Sequence, residues 1–399
     1  MSKKNKFETN AIHIGNEPDS STGSISPPIH LTSTYVQEGI GKNKGFDYSR
    51  GKNPTRQRLE KNIASLEGGY DAIAFSSGMA ATTALFQELN QGDHVIISRN
   101  VYGGTYRMTT KVLSNHGLQF DFVDTTTIQN IEKAIKKNTK WIFVETPTNP
   151  MLEITDIAAV SDLCKKNDLL FAVDNTFMSP FGQRPIEQGA DCVMHSSTKF
   201  IGGHGTTIGG LLVDGGNFDW SSGRFPEFTE PDPRYKGLKL WDAFGNFTGA
   251  GNIAFAIKAR VHGLRNLGMA LSPTNAFHFI QGFETLPCRM EKHVKNAYDL
   301  ATWLKNHSKV EWVNYAGFEG HPSYQHVQKY LKGSCPSVFT FGLKGGYEAG
   351  KAFIEKVELA SHLANVGDAK TLVIHPSSTT HSQLDEAAQL KAGVRQDMV

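Results

Sequence analysis

Between about residues 70 and 200, short apolar stretches rich in β-branched and aromatic residues alternate with stretches that have the character of helices. Such alternation predicts an α/β fold with a mostly parallel sheet that helices cover on both faces. Ligands of these sheets bind beyond the carboxyl ends of the strands, so the residues that follow each strand are the candidates for chemistry. The predicted strands are Ala72–Phe75, Val95–Ser98, Phe120–Val123, Trp141–Val144, Leu169–Val173 and Cys192–Met194, and the predicted helices are Met79–Leu89, Gly104–Asn115, Ile128–Lys137 and Ile157–Lys166.

The segments on either side of this region have different patterns. Residues 1–60 are rich in Gly, Ser, Pro and Asn without a clear period, which predicts an extended arm that contacts another subunit. Residues 215–249 combine Gly, Pro and aromatic residues, which is typical of a long functional loop. A helical segment from Asn252 to about Asn266 leads to a second domain, with a helix near Met290–His307 and a strand near Ser337–Leu343. We therefore predict an arm over 1–60, a large α/β domain over 61–265 and a smaller α/β domain over 266–399.

Composition and charge narrow the classes of function. The chain has 399 residues, of which 20% are charged and 39% hydrophobic, and these fractions are ordinary for a globular enzyme. Lysine and arginine number 41 against 39 aspartates and glutamates, so the charge gives no reason to expect nucleic acid or a membrane surface as a partner. The polar start of the chain and the lack of a long apolar run lead us to expect a cytoplasmic protein. The four cysteines form no metal or disulfide framework; they are Cys164, Cys192, Cys288 and Cys335.

Two residues that follow predicted strands are unusual. Lys199 comes shortly after the last predicted strand, behind Ser196 and Thr198 and ahead of several glycines. Burying an ammonium group is costly, and that cost lowers the pKa of a lysine and makes its amine a useful Schiff-base nucleophile. Asp174 directly follows the preceding strand, where a lone aspartate is more readily interpreted as the N-cap of the next segment than as a functional group.

Taken together, Asp174 and Lys199 suit a pyridine aldehyde phosphate. The aspartate would keep the ring nitrogen protonated so that the ring withdraws electrons, and the lysine would hold the aldehyde and shuttle protons. Tyr102 follows another strand and is able to lie flat on the ring, although a half-buried core tyrosine is an equal interpretation. The small-residue turn Ser76–Met79 opens a helix and offers backbone N–H groups to an anion. The chain has no GxGxxG motif, so a dinucleotide-binding fold lacks its fingerprint.

With these residues in view, the sequence resembles the Cys/Met-metabolism family of fold-type-I pyridoxal-phosphate enzymes over essentially the whole chain. The resemblance implies an aspartate-aminotransferase-like α/β fold, with a mostly parallel central sheet and a smaller C-terminal α/β domain. It also implies pyridoxal 5'-phosphate as the cofactor. It rests on ordered motifs at Tyr48–Arg50 with Asn53–Thr55, Ser76–Ala81, Tyr102–Thr105, Glu145 with Asn149–Pro150, Asp174–Thr176, His195–Lys199 and His375–His381.

The resemblance also implies roles for individual residues. Lys199 would be the Schiff-base lysine, Asp174 would pair with the pyridinium nitrogen, and Tyr102 would stack on the ring; these three would be the catalytic residues. Tyr48 and Arg50 would reach the phosphate of a neighbouring subunit, which makes a dimer the active unit, within a tetramer. Cofactor contacts are implied at Tyr48, Arg50, Ser77, Gly78, Met79, Tyr102, Asn149, Asp174, Thr176, Ser196, Thr198 and Lys199, and substrate contacts at Tyr48, Asn149, Asn365 and Thr371.

Within the family, the two halves of the chain resemble different members. Residues up to about 200, such as Gly15–Asp19, are closer to cystathionine γ-lyases and γ-synthases. The later half is closer to O-acetylhomoserine sulfhydrylases, as in Gly202–Gly205 and Ala364–Asp368. Cystathionine-handling members have Glu-Ser where this chain has Ala364 and Asn365, and that glutamate helps to recognise the amino group of a cysteine-type partner. We therefore expect a γ-replacement in which O-acetylhomoserine and sulfide give homocysteine.

Other interpretations stay open. The chain is alternatively a cystathionine γ-synthase or γ-lyase, a methionine γ-lyase, or a non-catalytic protein that binds the cofactor, and Ala364 alternatively reflects only local packing. The family's substrate-carboxylate arginine is expected just where the given sequence ends, at Gln396–Val399, and Arg395 does not align with it. We expect either that the C-terminal domain is truncated in this sequence or that the chain binds a substrate carboxylate poorly.

Overall fold

The computed structural model describes residues 5–247, 251–331, 334–383, 385–391 and 393–399. Its strands are β1 Asp71–Phe75, β2 His94–Ser98, β3 Gln119–Val123, β4 Thr139–Glu145, β5 Leu170–Asp174, β6 Cys192–His195, β7 Gly210–Asp214, β8 Val310–Asn314, β9 Thr340–Leu343, β10 Ser361–His362 and β11 Leu372–Val373. Its α-helices are α1 Phe7–His13, α2 Pro54–Glu67, α3 Gly78–Phe86, α4 Gly103–Lys111, α5 Ile128–Ala134, α6 Ile157–Lys166, α7 Ser179–Gly182, α8 Pro226–Thr229, α9 Leu240–Phe244, α10 Ala254–Ala259, α11 Pro273–Lys305, α12 Tyr324–Tyr330, α13 Gly346–Lys356 and α14 Glu386–Lys391. A π-helical turn, Arg260–Asn266, extends α10.

One seven-stranded sheet organises the fold, in the order β1-β7-β6-β5-β4-β2-β3. Neighbours from β6 across to β3 are parallel, and β7 runs antiparallel to both of its neighbours. The predicted mostly parallel sheet is therefore confirmed, and each of the predicted strands lies within one of β1 to β6 or overlaps it. The sequence pattern did not predict β7, because this five-residue strand has only three apolar side chains and follows a glycine-rich stretch with no helix before it.

Helix α2 illustrates how the sequence sets the ends of an element. The side-chain oxygen of Asn53 accepts a hydrogen bond from the backbone N–H of Thr55 (3.0 Å), and Pro54 in the first turn has no N–H to satisfy. Gly68 ends the helix with φ 72°, a left-handed conformation that glycine adopts without a Cβ clash. These caps place the last helical residue, Glu67, in a fully buried position against the sheet.

Helices cover both faces of the sheet, which explains why β2, β5, β6 and β7 are buried along their whole length. Successive residues of a strand enter different clusters of the core. Phe143 and Ala172 pack in the cluster that includes α3 and α10, whereas Val144 and Val173 pack in the cluster that includes α6. A third cluster lies beside the one that includes α6, and in it the N-terminal part of α11 and helix α2 cover β1, β6 and β7. The carboxyl ends of the parallel strands are left as the open edge of this layered structure.

The chain after residue 270 differs in detail from the prediction. The helix predicted near Met290–His307 is α11, which spans 33 residues and contains Pro287. A proline inside a helix removes one backbone hydrogen bond and often marks the end of a helix. The sequence alone therefore gave no reason to predict one continuous helix across Pro287. The remaining strands form two small sheets, β8–β9 and β10–β11. No helix in the described ranges combines the length and the apolarity needed to cross a bilayer. The division into three parts at residues 60 and 265 stays a prediction.

The segment predicted as a long loop, residues 215–249, is anchored by an aromatic cluster and contains α8 and α9. The fully buried Trp220 stacks on Phe228 with 4.1 Å between ring centroids and on Phe255 with 5.3 Å. The Lys258 ammonium lies 4.4 Å from the centroid of Phe228 and 2.9 Å from a carboxylate oxygen of Glu88. Aromatic side chains bury large apolar areas, so this cluster holds an otherwise irregular segment on the surface of the sheet layer.

Replacing Trp220 with alanine is expected to lower the free energy of unfolding by about 3–5 kcal/mol, the usual cost of removing a large buried aromatic side chain. Urea unfolding followed by far-UV circular dichroism measures the shift. Trp303→Ala is the matched control, because this side chain is 57% exposed and its loss should shift the midpoint little. If both variants unfold at the same urea concentration, the cluster does not stabilise the fold.

Candidate active site

Three ionisable side chains end neighbouring strands of the sheet. Glu145 is the last residue of β4, Asp174 of β5 and His195 of β6, and all three are buried. In the ladder Glu145 lies opposite Asp174, and Asp174 lies opposite Met194, the residue before His195. Lys199 follows in the turn after β6. The residues that sequence analysis placed beyond the strand ends therefore meet at one edge of the sheet.

Lys199 lies in a tight turn and its amine is held by a distant part of the chain. Its backbone N–H donates to the carbonyl of Ser196 (3.2 Å), and its own carbonyl accepts from Gly203 (2.8 Å). The amine Nζ lies 2.5 Å from the side-chain oxygen of Asn365. Burial lowers the pKa of the Lys199 amine, and no charged group among the described residues contributes to that shift. The amine is therefore more readily neutral, and more nucleophilic, than that of a surface lysine.

A second segment, Asn365–Ala369, packs directly on the Lys199 turn. The backbone N–H of its last residue donates to the carbonyl of Gly203 (2.9 Å). Gly367 has φ 78° and approaches so closely that a Cβ on it would lie 2.5 Å from the backbone nitrogen of Phe200. Glycine is therefore required at this position by both its conformation and its surroundings. The contact explains how a residue from the later part of the chain reaches the reactive amine.

Arg289, on α11, also holds this turn, and sequence reasoning missed it. Its guanidinium donates to the carbonyls of Phe200 (2.7 Å), Ile201 (3.2 Å) and Gly282 (2.6 Å). Burial lowers the pKa of Arg289 to about 10. Because its partners are main-chain carbonyl groups, which every residue has, no motif in the sequence marks this role. Arg289 is a positioning residue for the turn that carries Lys199.

The carboxylate of Asp174 is buried beside that of Glu145. The backbone N–H of Thr176 donates to Asp174 Oδ1 (3.0 Å), and the hydroxyl of Thr176 accepts from the backbone N–H of Ser196 (2.8 Å). Burial raises the pKa of Asp174, and the hydrogen bonds of Thr176 oppose that rise. Burial and then the charge of Asp174 raise the pKa of Glu145 well above its usual range, so Glu145 takes up a proton more readily than Asp174 does. No described lysine or arginine forms an ion pair with Asp174.

The start of α3 faces Ser196. The hydroxyl of Ser77 caps the helix by accepting from the backbone N–H of Ala80 (3.0 Å). Gly78 packs so tightly that a Cβ on it would lie 2.7 Å from the Cβ of Ser196 and 2.9 Å from its hydroxyl oxygen. The N–H groups of Gly78 and Met79 belong to the first turn, where a helix provides no acceptors of its own. Backbone donors and a serine hydroxyl thus gather at a helix N-terminus, as anion sites require.

Tyr102 stands at the start of α4, where its backbone N–H donates to Glu145 Oε2 (2.7 Å). Its ring rests on Gly104, since a Cβ there would lie 2.4 Å from the ring and 2.9 Å from the sulfur of Met79. The side chain is 51% exposed, so one face is open to a ligand. The backbone N–H of Asn149 also bonds the Glu145 carboxyl. Glu145 therefore fixes both loops, and the predicted contact residues Tyr102 and Asn149 lie beside it.

Tyr48 and Arg50 lie together on the exposed arm. The Arg50 guanidinium is 5.3 Å from the centroid of the Tyr48 ring, which is 45% exposed. No contact between the described residues joins either of them to Lys199 or Asp174. Their reach into the site of another subunit stays a prediction.

Two further predicted residues bond backbone groups. The hydroxyl of Thr198 accepts from the backbone N–H of Gly209 (3.1 Å), just before β7 begins. Thr371 is exposed, and its carbonyl accepts from the backbone N–H of Ser361 (2.9 Å). Thr198 thus links the Lys199 turn to β7, whereas no described hydrogen bond brings Thr371 to the turn.

His375 and Arg395 have structural partners after residue 310. His375 is fully buried, and one ring nitrogen lies 2.8 Å from the carbonyl of Gln396. Arg395 forms an ion pair with Asp397 (3.0 Å), and its guanidinium lies 4.9 Å from the centroid of the Trp312 ring. Both ring nitrogens of His375 thus contact groups that follow it in the chain, Ser378 and Gln396, which gives this histidine a structural role.

The donor and acceptor groups at the strand ends fit pyridoxal phosphate. A buried carboxylate without a described cation, Asp174, suits a pyridinium N–H, and the amine of Lys199 suits an aldehyde. The start of α3, with the hydroxyl of Ser196, suits a phosphate. Within the described ranges, no group of three or more His, Cys, Asp or Glu side chains is arranged to hold a metal ion.

A sequence profile of the family described as "Cys/Met metabolism PLP-dependent enzyme" matches residues 8–399. An O-acetyl-L-homoserine sulfhydrylase of Leptospira meyeri is 46% identical over 406 residues, which cover 99% of this chain and 92% of that protein. A homocysteine synthase of Schizosaccharomyces pombe is 43% identical, covering 98% of this chain and 93% of that protein. The crystal structure of a cystathionine gamma-lyase from Lactobacillus plantarum complexed with L-serine is 33% identical, with a TM-score of 0.84 over 99% of this chain and 93% of that one. The chain thus belongs to the Cys/Met metabolism family of pyridoxal-phosphate-dependent enzymes.

Proposed function

We propose that this chain is an O-acetylhomoserine sulfhydrylase, which converts O-acetyl-L-homoserine and hydrogen sulfide into homocysteine and acetate. The observation that carries the proposal is the meeting of a low-pKa lysine, Lys199, and a buried carboxylate, Asp174, at one edge of the sheet. Its relatives in Leptospira meyeri and Schizosaccharomyces pombe, which match almost the whole chain, are a sulfhydrylase and a homocysteine synthase.

Each residue has a defined task in this reaction. When bound, pyridoxal phosphate supplies the electron sink that makes the proton on the substrate α-carbon acidic. Asp174 holds and orients the ring through its nitrogen. Lys199 removes the α-proton and delivers it to a neighbouring atom, while acetate leaves from the γ-carbon and sulfide adds there. Asn365 positions the amine of Lys199 (2.5 Å), and Tyr102 covers the ring and assists proton transfer.

Sulfide, rather than cysteine, is the proposed acceptor. Ala364 is exposed next to Asn365, whose side chain reaches Lys199, so residue 364 borders the site. A methyl group makes no hydrogen bond or ion pair with the ammonium group of an amino-acid acceptor. Sulfide has no such group and therefore needs no partner at this position.

We further propose that the active unit is at least a dimer, within a tetramer, and that the protein acts in the cytoplasm. The arm supports the first proposal, because it exposes apolar side chains that none of the described residues of this chain covers. An exposed apolar surface of this kind is typical of a contact with another subunit. The most exposed of these side chains are Ile25, Leu31, Val36 and Ile40, at 79%, 74%, 94% and 106%. Free cysteines, three of them buried, agree with a reducing compartment.

Replacing Lys199 with alanine is expected to abolish homocysteine formation from O-acetylhomoserine and sulfide, because the proton carrier is lost. The visible absorbance of protein-bound pyridoxal phosphate should change in the same variant. Lys370→Ala is the control, since Lys370 is exposed in the neighbouring segment and should leave turnover intact. Substantial activity in Lys199→Ala would contradict the proposal.

The same assay separates the competing reactions. Preferred use of cysteine, with cystathionine as product, would identify a γ-synthase, and breakdown of cystathionine would identify a γ-lyase. Release of α-ketobutyrate from methionine without added sulfide would identify a methionine γ-lyase. Bound cofactor without turnover of any sulfur amino acid would identify a non-catalytic protein.

Replacing Gly104 with alanine is expected to lower kcat/KM by about 10- to 100-fold, the scale of loss from a misplaced active-site group. The new Cβ would lie 2.4 Å from the ring of Tyr102 and must displace it. Gly103→Ala is the matched control, because its nearest contact is the flexible end of Arg107 at 3.2 Å. Equal kinetics for the two variants would exclude Tyr102 from the proposed role.

The unloaded protein should react with pyridoxal phosphate at a lower pH than a free lysine does. Below the pKa of the folded state the Lys199 amine is an ammonium ion without a lone pair, and burial lowers that pKa. The rate of reaction should therefore rise with pH through a midpoint below about 10.4, the ordinary lysine value. Stopped-flow absorbance measures the profile, with N-acetyl-lysine amide as the reference. A midpoint equal to that of the reference would show that burial does not tune this amine.

A further inference from the structure

A fully buried contact between a glutamate and a histidine lies behind the strand ends and has no part in the reaction proposed above. Glu67 is the last residue of α2 and His195 is the last residue of β6. Both side chains have 0% exposure, and His195 Nε2 lies 2.5 Å from Glu67 Oε1. Burying two ionisable groups is costly, so a pair in this position needs a physical explanation.

The pair is connected to the strand that ends in Asp174. The side-chain N–H of Asn175, the next residue, donates to the same oxygen of Glu67 (2.9 Å). The backbone N–H of Asn175 donates to the carbonyl of Met194 (2.9 Å), which continues the ladder between β5 and β6 by one residue. One carboxyl oxygen thus binds groups from the ends of both strands, directly behind Asp174 and the Lys199 turn.

The surroundings of Glu67 favour a cation at His195. Glu67 Oε2 and His195 Nδ1 are both buried without a hydrogen-bond partner among the described residues, so the carboxylate relies on the partners of Oε1, and a cation there offsets the cost of its burial. The 2.5 Å separation of Nε2 and Oε1 is shorter than an ordinary N–H···O hydrogen bond, and charge-assisted hydrogen bonds are the shorter ones. With a neutral imidazole, Glu67 and Asp174 would be two buried anions without a described cation. With an imidazolium the net charge of the three groups is one negative, which a bound pyridinium then neutralises.

We infer that Glu67 keeps His195 as an imidazolium, and that this buried cation holds Asp174 as a carboxylate ready for a pyridinium nitrogen. Glu67 and His195 are positioning residues, because they act through Asp174. The charge of His195 opposes the rise that burial imposes on the pKa of Asp174. The raised pKa of Glu145 works in the same direction, since a proton on Glu145 removes a second anion from the neighbourhood. The inference rests on the proposed cofactor site.

The first test compares Glu67→Gln with Glu60→Gln. Glutamine keeps the shape and acceptor oxygen of Glu67 but removes its charge. The control removes another buried carboxylate from the same helix, one that pairs with Arg260 (2.9 Å), accepts from the backbone N–H of Ala74 (3.0 Å) and has no contact with Asp174 or His195 among the described residues. Glu67→Gln is expected to weaken pyridoxal phosphate binding by about 10- to 100-fold, as loss of a partner behind a binding group does in metal sites. Its kcat should fall while KM for O-acetylhomoserine changes little. An equal loss of affinity for pyridoxal phosphate in both variants would show that Glu67 and His195 have only a structural role.

The second test measures the charge itself in unloaded protein. Nitrogen-15 NMR of the histidine side chains, assigned with His195→Gln, should show both ring nitrogens of His195 protonated near neutral pH. A neutral ring in the wild-type protein would overturn the inference, and this measurement needs no variant of Glu67 that folds. It also needs no turnover. Bound cofactor without homocysteine formation would therefore refute the proposed reaction while leaving the inference standing.

Discussion

A buried anion at the end of β5, the carboxylate of Asp174, determines how the surrounding groups are arranged. Burial and the charge of Asp174 raise the pKa of its neighbour Glu145, and Thr176 supplies hydrogen bonds that oppose the effect of burial on the pKa of Asp174. Burial lowers the pKa of the Lys199 amine, which forms no ion pair with Asp174 among the described residues. No cation from the described residues pairs directly with Asp174. The protein thus maintains an unbalanced negative charge in a place that a protonated ring nitrogen can reach.

Sequence reasoning succeeded where a feature is local. Asp174 ends one apolar strand and Lys199 follows the next within four residues, so their meeting follows from the parallel sheet alone. The turn at Ser77 and Gly78 likewise opens the helix that the sequence predicts there. In a parallel sheet all strands end at the same edge, so residues that follow neighbouring strands lie close together even when they are far apart in the chain.

What the sequence did not yield depends on contacts between distant segments. Arg289 binds carbonyl groups, which leave no trace in a sequence pattern. Glu67 and His195 are 128 positions apart, and the sequence around each residue does not predict their contact. Gly104 belongs to a recognisable motif, but the reason for its glycine is the ring of Tyr102 beside it. β7 was not predicted because it follows a glycine-rich stretch with no helix before it, and its antiparallel pairing depends on the distant strand β1 as well as on β6.

The hydrogen bond between Lys199 and Asn365 makes the orientation of the reactive amine depend on the position of a distant segment. Asn365 belongs to the segment between β10 and β11, whereas Lys199 belongs to the turn after β6 in the large sheet. An amine that donates a hydrogen to an amide oxygen has its lone pair aimed away from that oxygen, so the position of one segment sets the direction in which the other attacks. A small displacement of the Asn365 segment would rotate the lone pair without moving Lys199 itself. The reactivity of the lysine therefore depends on how these two segments are positioned relative to each other.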